Sequence, residues 1–347
     1  GGYAGAVRFR VNHAGPCVGP RSIDTSKETR VLTYILRRLV MLVPVILIVG
    51  LVVFTLVHLT PGDPAAVILG DQATPEDIQE LRDRLGLNDP LPVQFINWFG
   101  GVLRLDFGDS IFLGMPVTEA LMDRVAPTGL LTLYALFVQL LIGIPLGVIA
   151  ALKAGSIVDR LMTALAISGA AIPTFFLGIM LILIFAVQLK WLPSVGYVSP
   201  MDDLSGHIQR MIMPAFALGF SSAGLLARLI RSSMLDVLNE DYVRTAMAKG
   251  LAHRHVVIRH ALRNALVPAI TVVGTSLAAL LGGAVVTETV FTIPGMGRLV
   301  VQSISRRDYP IIQGAVMAIA VSYVLVNLIV DLLYIYADPR VRLGAKQ

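Results

Sequence analysis

The side chains able to do acid–base, nucleophilic or metal chemistry are few in this 347-residue chain: six histidines, one cysteine and 23 acids. Three histidines cluster, His253, His255 and His260. Two imidazoles that share a metal on a helix need a three- or four-residue step, as in His-x3-His. His253 and His255 point to different helical faces, and His255 to His260 is a five-residue step, so no metal site is expected. The lone Cys17 excludes an intrachain disulfide and a cysteine-based zinc site. Gly-x-Ser-x-Gly, His-Glu-x-x-His and the phosphate loop Gly-x4-Gly-Lys-Ser/Thr are all missing from the sequence. Neither catalytic residues nor a cofactor of its own is expected.

The chemistry that remains is mechanical, and it concentrates in Asn239–Gly250. Asn239 reads as an N-cap, Glu240 and Asp241 favour the positive end of a helix, and Gly250 reads as its stop. The result is a helix of about ten residues, with Lys249 at its negative end. Val243, Ala246 and Met247 fall on one face by three- and four-residue spacing. A second amphipathic stretch, His253–Asn264, follows. Helices this short cannot cross a bilayer, so the pair describes a surface element with a small apolar face framed by charge. It suits docking to a partner, or contact with anionic lipid headgroups on electrostatics alone.

Six charge-free apolar windows surround this element: Leu39–Val57, Val125–Leu152, Leu161–Leu189, Met211–Ala227, Asn264–Thr287 and Tyr309–Val330. About 20 apolar residues cross the hydrocarbon core as a helix. Only 15% of residues are charged and the mean hydropathy is +0.75, against about a quarter charged in soluble domains. The expected fold class is therefore an all-α integral membrane protein with about six transmembrane helices. None of the windows holds an acid, a base or a histidine, which argues against a self-powered proton-coupled transporter. Glu288 and Asp331 stand at window edges, where interfacial solvation or structural pairing is expected. The net charge of +5 has no aromatic-interleaved basic patch with it, so no nucleic-acid partner is expected.

Lysine and arginine set the orientation. With a cytoplasmic N-terminus, and counting from Lys27, the inside segments carry 16 basic residues and the outside segments 9. Both termini and the loop 228–263 are then cytoplasmic, and 61–124 is an extracytoplasmic region with eleven acids. Residues 31–60 carry the first helix and 125–342 the five-helix core. Gly1–Arg30 has the composition of neither a span nor a packed element, and reads as a mis-assigned start or a disordered extension. No function is attached to its His13 or Cys17.

In the outside region, Thr74-Pro75-Glu76-Asp77 is a helix start. Phe95, Ile96, Trp98, Phe99 and Val102 form an aromatic–apolar cluster, either packing on the bilayer or its own spans, or offering a platform to an extracytoplasmic partner. Pro145, Pro173, Pro214 and Pro268 fall within windows and predict bends. Gly143-Ile-Pro-Leu-Gly147 suits close helix packing.

Several stretches, in order, resemble one family. They are Thr60-Pro-Gly-Asp-Pro64, Leu85-Gly-Leu87, Asp106-Phe-Gly-Asp-Ser110, Glu240-Asp-Tyr-Val-Arg-Thr-Ala246 with Ala248-Lys-Gly250, Arg259-His-Ala-Leu-Arg-Asn-Ala-Leu-Val-Pro268, Glu288-Thr-Val-Phe, Pro294-Gly-Met-Gly-Arg298 and Arg307-Asp-Tyr-Pro310. The chain is similar, from about Leu32 to Arg342, to the permease subunits of dipeptide, oligopeptide, nickel and glutathione ABC importers. Segment 239–250 resembles their EAA loop. Arg244, Thr245 and Ala246 stand where the general pattern has Glu-Ala-Ala, and Pro268 comes about five residues late, as in the peptide-type branch.

This resemblance implies a type I importer permease. Its coupling helix, carrying Glu240, Asp241, Val243, Arg244, Ala246, Met247, Lys249 and Gly250, would seat on a cytoplasmic ATPase. It also implies a homologous permease partner, two ATPase subunits that hold ATP and Mg, an extracytoplasmic binding protein, and a lipid environment in a bacterial cytoplasmic membrane. The cargo would be short peptides, glutathione or nickel complexes. The alternative is an ATP-independent channel or secondary transporter. The outside turn with Glu288, Pro294, Gly295 and Gly297 is expected to be part of a gate or a binding-protein contact. Its two glycines permit unusual backbone angles and Pro294 fixes its entry.

Overall fold

The computed structural model describes residues 25–59, 64–69, 73–84 and 86–337. The expectations for residues 1–24 and the segment Arg340–Gln347 fall outside them. The chain divides into two compact units, Gly1–Val43 and Pro44–Gln347. In the first, the residues from Thr25 onward are helical.

The elements are α1 (Thr25–Leu59), α2 (Pro64–Leu69), α3 (Pro75–Arg84), α4 (Leu91–Leu103), α5 (Val117–Leu152), α6 (Ile157–Ala171), α7 (Thr174–Leu181), α8 (Leu204–Leu238), α9 (Asp241–Ala248), α10 (His253–His255), α11 (Arg263–Val290), α12 (Met296–Arg306) and α13 (Tyr309–Ala337). Two π-helical stretches join them: Ile182–Gln188 continues α7, and Val256–Leu262 links α10 to α11. The fold class is all-α, as expected.

Among the described residues, four segments are long and apolar enough to cross a membrane: Val117–Leu152, Leu204–Leu238, His253–Val290 and Tyr309–Val330. The window Leu161–Leu189 is not one straight span. Its two halves, α6 and α7 with its π extension, meet at 102°. Pro173 is the cause: it lacks an N–H and forces the preceding Ile172 out of the helical region, to φ −81° and ψ 123°. Pro145, Pro214 and Pro268 stay inside continuous helices, where neighbouring helices shelter the freed carbonyls. Counting the bent pair as one crossing gives five spans, and the apolar Val40–Thr55 of α1 is a shorter element.

The directions of the helices follow from their close approaches. A Cβ on Gly143 would lie 3.0 Å from the Ala223 carbonyl, and one on Gly147 2.6 Å from that of Ala227. The Gly-x3-Gly stripe thus packs α5 directly on α8, and the two run parallel. The chain must return to the opposite end between them, so the bent pair α6–α7 makes a crossing. Leu131 and Ala135 meet Met213, Leu218, Leu280 and Ala284 in one apolar core. Ala151, Ile230 and Met234 meet Ala261 and Ala265 in a second. Hence α11 runs antiparallel to α8. Gly274 abuts Val330, while Ile311 and Ala315 pack with Val117, Leu121 and Leu299, so α13 turns back along α11. Helix α9 and the turn before α12 therefore lie at opposite ends of the bundle.

The outside aromatic cluster packs on its own chain. Phe54 of α1 meets Phe95 at 5.4 Å and Trp98 at 5.9 Å between ring centroids, and Phe95 stacks on Phe99. Ile96 remains exposed. The Thr74 start of α3 forms as expected: the Asp77 amide donates to Thr74 Oγ1 at 3.2 Å, and the Thr74 hydroxyl donates back to Asp77 Oδ2 at 2.7 Å. The Thr74 hydroxyl, and the Thr74 amide donating to the same Oδ2 at 3.1 Å, hold the Asp77 carboxyl below its usual pKa.

Candidate functional site

At one end of the bundle, α9 is a two-turn helix seated on its own chain. Val243 (0% exposed) and Ala246 (8%) pack with Val256, Val237 and Leu238. The Tyr242 hydroxyl accepts a 2.7 Å hydrogen bond from Asn264 Nδ2. This tethers α9 to the start of α11, while Val237 and Leu238 hold it to the end of α8. The opposite side of α9, with Asp241, Arg244, Thr245 and Ala248, is exposed, as are Met247, Lys249 and Glu240. The expected apolar face thus splits. Val243 and Ala246 turn inward as the seat, and Met247 is 41% exposed.

Both ends of α9 differ in detail from expectation. Asn239 closes α8 instead of opening α9: it is the C-cap of α8, and its side chain bonds the Leu235 carbonyl. Glu240 takes the N-cap position with extended backbone and no side-chain cap bond. An eight-residue helix results, because α8 continues to Leu238 and uses Asn239 first. Gly250 stops α9 as expected. Its φ of +77° suits a residue without a Cβ. Its amide bonds the Met247 carbonyl at 3.0 Å, and the Leu251 amide reaches the Ala246 carbonyl at 3.4 Å, the paired pattern of a Schellman stop.

Between α6 and α8 lies an ion pair that the sequence reading passed over. Arg231 of α8 holds Asp159 of α6 in two parallel bonds of 2.7 and 2.8 Å, and the Gly155 amide adds a third at 2.9 Å. Such bidentate geometry fixes direction as well as distance. The local signal was there: Ser156 caps α6 by accepting from the Asp159 amide, the Ser-x-x-Asp form of a capping box.

At the other end, Glu288 is fully buried (0% exposed). The Thr128 hydroxyl donates to its Oε1 at 2.6 Å, and the Arg298 amide to its Oε2 at 3.0 Å. The Gly297 amide also donates to this carboxyl group. The carboxyl group therefore occupies the N-terminus of α12, where free amides gather. Thr128 Oγ1 in turn accepts from the Met296 amide at 2.8 Å. A Cβ on Gly295 would collide with the Glu288 carboxyl. Pro294 is half-buried, and Gly295, Met296 and Gly297 are buried, so the expected group of Glu288, Pro294, Gly295 and Gly297 does come together, but facing inward.

At the far end of α12, Asp308 (2% exposed) accepts from the Ser110 hydroxyl at 2.6 Å. This brings Asp106–Ser110 and Arg307–Pro310 into one junction, a contact across nearly 200 residues that no local pattern announces. His255 and His260 are also closer than the sequence suggested, with ring centroids 6.0 Å apart. The π stretch bonds i to i+5 and so aligns residues five apart. No third histidine, cysteine or acid joins them among the described residues.

Comparison with known proteins follows the same lines. The profile of the binding-protein-dependent transport system inner membrane component matches residues 143–343. The N-terminal profile of the same system matches residues 31–128. A probable peptide ABC transporter permease protein, y4tP, of Sinorhizobium fredii is 47% identical over 309 residues, covering 89% of this chain and 99% of its own. The glutathione transport system permease protein GsiC of Salmonella typhimurium is 44% identical over 311 residues, covering 90% and 99%. A solved structure of the MetNI methionine ABC transporter, inward facing, superposes with a TM-score of 0.52 at 19% identity, over 63% of this chain and 97% of that one. That last likeness concerns the fold alone. The chain belongs to the family of binding-protein-dependent transport system inner membrane components, as a multi-pass permease subunit of the ABC importer type.

Proposed function

We propose that this permease imports short peptides or a peptide-like solute such as glutathione, driven through α9 by ATPase subunits that carry the ATP and Mg. The named cargo of the two relatives supports the substrate class. The family supports ATPase and binding-protein partners. Two ATPases, a homologous second permease and an extracytoplasmic binding protein complete the proposed assembly. The excess of lysine and arginine supports a cytoplasmic α9 end.

The observation that carries this reading is the mounting of α9. It has a buried seat shared by the end of α8 and the start of α11, and an outward face of Asp241, Arg244, Thr245 and Ala248 with no partner from its own chain's core. A push on that face reaches two long helices at once. Val243 and Ala246 act as the seat, and Glu240, Arg244, Met247 and Lys249 frame the contact. Helix α11 carries the motion to the opposite end, where the Glu288 turn and α12 form the extracytoplasmic gate. The burial of that turn favours a gate element over a contact surface for the binding protein.

The test is a charge change on the outward face alone. Arg244→Glu with Thr245→Asp should lower substrate-stimulated ATP hydrolysis and uptake by about tenfold or more, the scale of a lost interface anchor. Insertion of the permease should be normal. Stimulated hydrolysis and uptake at the unmodified level would remove α9 from the ATPase contact.

A further inference from the structure

Next to the seat of α9 the chain forms a cavity of about 610 Å³, lined by Ala252, Arg254, His255, Ile258, Arg259 and Arg263. We propose that it is a binding site for the headgroup of an anionic phospholipid such as phosphatidylglycerol. This assignment needs neither α9's role in coupling nor the identity of the cargo.

Three observations carry it. The first is charge. Arg254, Arg259 and Arg263 are exposed, and no ion pair or side-chain hydrogen bond engages them among the described residues. Three arginines that line one cavity without a carboxylate among the lining residues repel one another, and a phosphate diester offers the oxygens that relieve this. The second is backbone geometry. The arginines are spaced by five and then four residues. On a uniform α-helix this spacing would spread them over about half the circumference. The π stretch Val256–Leu262 bonds i to i+5 and brings Arg254 and Arg259 onto one side. Arg263, four residues on, stays with Arg259 as the α-helix resumes. The third is position. All of the lining except Ala252 comes from the first eleven residues of the 38-residue membrane-capable segment His253–Val290. Arginine there belongs at headgroup depth. Ile258, 53% exposed within the cavity lining, suits the glycerol and upper acyl region of a lipid and has no role toward a hydrated free anion.

The site thus combines a charge cluster, a gathering backbone distortion and an apolar contact at the membrane boundary. Bound lipid would brace the junction of α10 and α11, on which the seat residue Val256 also lies.

The experiment is native mass spectrometry of the full chain, released from micelles doped with equal amounts of phosphatidylglycerol and phosphatidylcholine. The wild type should carry phosphatidylglycerol in preference, by roughly fivefold for each arginine engaged. Arg254→Gln, Arg259→Gln and Arg263→Gln together should bring the two lipids close to parity. The variant Arg104→Gln, Arg306→Gln and Arg307→Gln, which removes three exposed arginines distant in sequence, should keep the preference. Inorganic phosphate at millimolar concentration should not displace the lipid. Equal retention of both lipids by the wild type, or an undiminished preference in the triple variant, overturns the proposal. Displacement by inorganic phosphate would also overturn it, by making the site one for free anions. So would loss of the preference on adding ATPase subunits without nucleotide, which would give the cavity to an acidic protein surface.

Discussion

Two helices at opposite ends of the bundle, α9 and α12, are held by different forces. At the α9 end, a two-turn helix rests on an apolar seat of Val243, Ala246 and Val256 and one side-chain hydrogen bond. At the α12 end, two buried carboxyl groups, Glu288 and Asp308, anchor the flanks of one helix through Thr128, Ser110 and backbone amides. Apolar contact is non-directional and tolerates small sliding. A buried polar network permits few arrangements, because each half-made state leaves a group unpaired. The contrast suggests that the α9 end yields to a partner, while the α12 end switches as a unit or not at all.

The largest effect should come from Glu288. Glu288→Ala leaves the Thr128 hydroxyl and two amides of the α12 N-terminus without their acceptor. It should destabilise the chain by about 3 kcal/mol or more, read as a lower thermal midpoint in detergent. Gly295→Ala should approach this, since its Cβ meets the carboxyl group, whereas Glu288→Gln keeps one acceptor and should lose less. A midpoint unchanged in Glu288→Ala would erase the contrast between the ends. Ala246→Asp comes next. It buries a charge in the seat, at a cost of several kcal/mol, and should detach α9 from its own chain. Its defect should therefore exceed that of Thr245→Asp on the open face; equal defects would mean that Ala246 is not the seat.

Gly250 separates coupling from stability. Nothing lies within 4 Å of a Cβ built there, so the penalty of Gly250→Ala comes from φ of +77° alone, about 1–2 kcal/mol. That strain falls on α9. Uptake should drop severalfold while the thermal midpoint holds, and Gly250→Asn, which tolerates this backbone better, should recover part of the uptake. A fall in midpoint as large as that of Glu288→Ala would mean α9 is locked as firmly as α12.

The smallest effect belongs to the Asp77 cap, remote from both ends. The Asp77 carboxyl is held below its usual pKa by Thr74, so its stabilising share is complete above the unfolded-chain value near 4. It fades only as pH falls through the lower folded value. Thr74→Ala should therefore lower stability by a constant amount between pH 6 and 8, and that deficit should shrink along the acid limb of a melting series; a deficit that grew as pH fell would contradict the sign.

Much of this was legible in the chain. Val125–Leu152 and Tyr309–Val330 lie within α5 and α13, since charge-free length alone decides them. Gly143 and Gly147 read as a packing stripe and are one, because their spacing fixes the face. Gly250 announced its stop. The misreadings share a cause, competition beyond a local window. Asn239 could cap either neighbour and went to the longer helix. Pro173 and Pro145 look alike in sequence, yet only Pro173 breaks its span. His255 and His260 were separated by an α-helical ruler that the π stretch does not obey. Ser110–Asp308 and Asp159–Arg231 join elements distant in the chain, and periodicity carries no information about them.

The central claim, that α9 presents its open face to the ATPase while the Glu288 turn stays buried, comes down to one crosslinking measurement in the assembled transporter. Cysteine at Thr245, paired with cysteines around the ATPase groove, should crosslink in high yield, and the yield should change between nucleotide-free and ATP-bound states. Cysteine at Met296 should give none with any subunit while the turn is shut. A Thr245→Cys yield no higher than that of Met296→Cys, in every nucleotide state, would contradict the account.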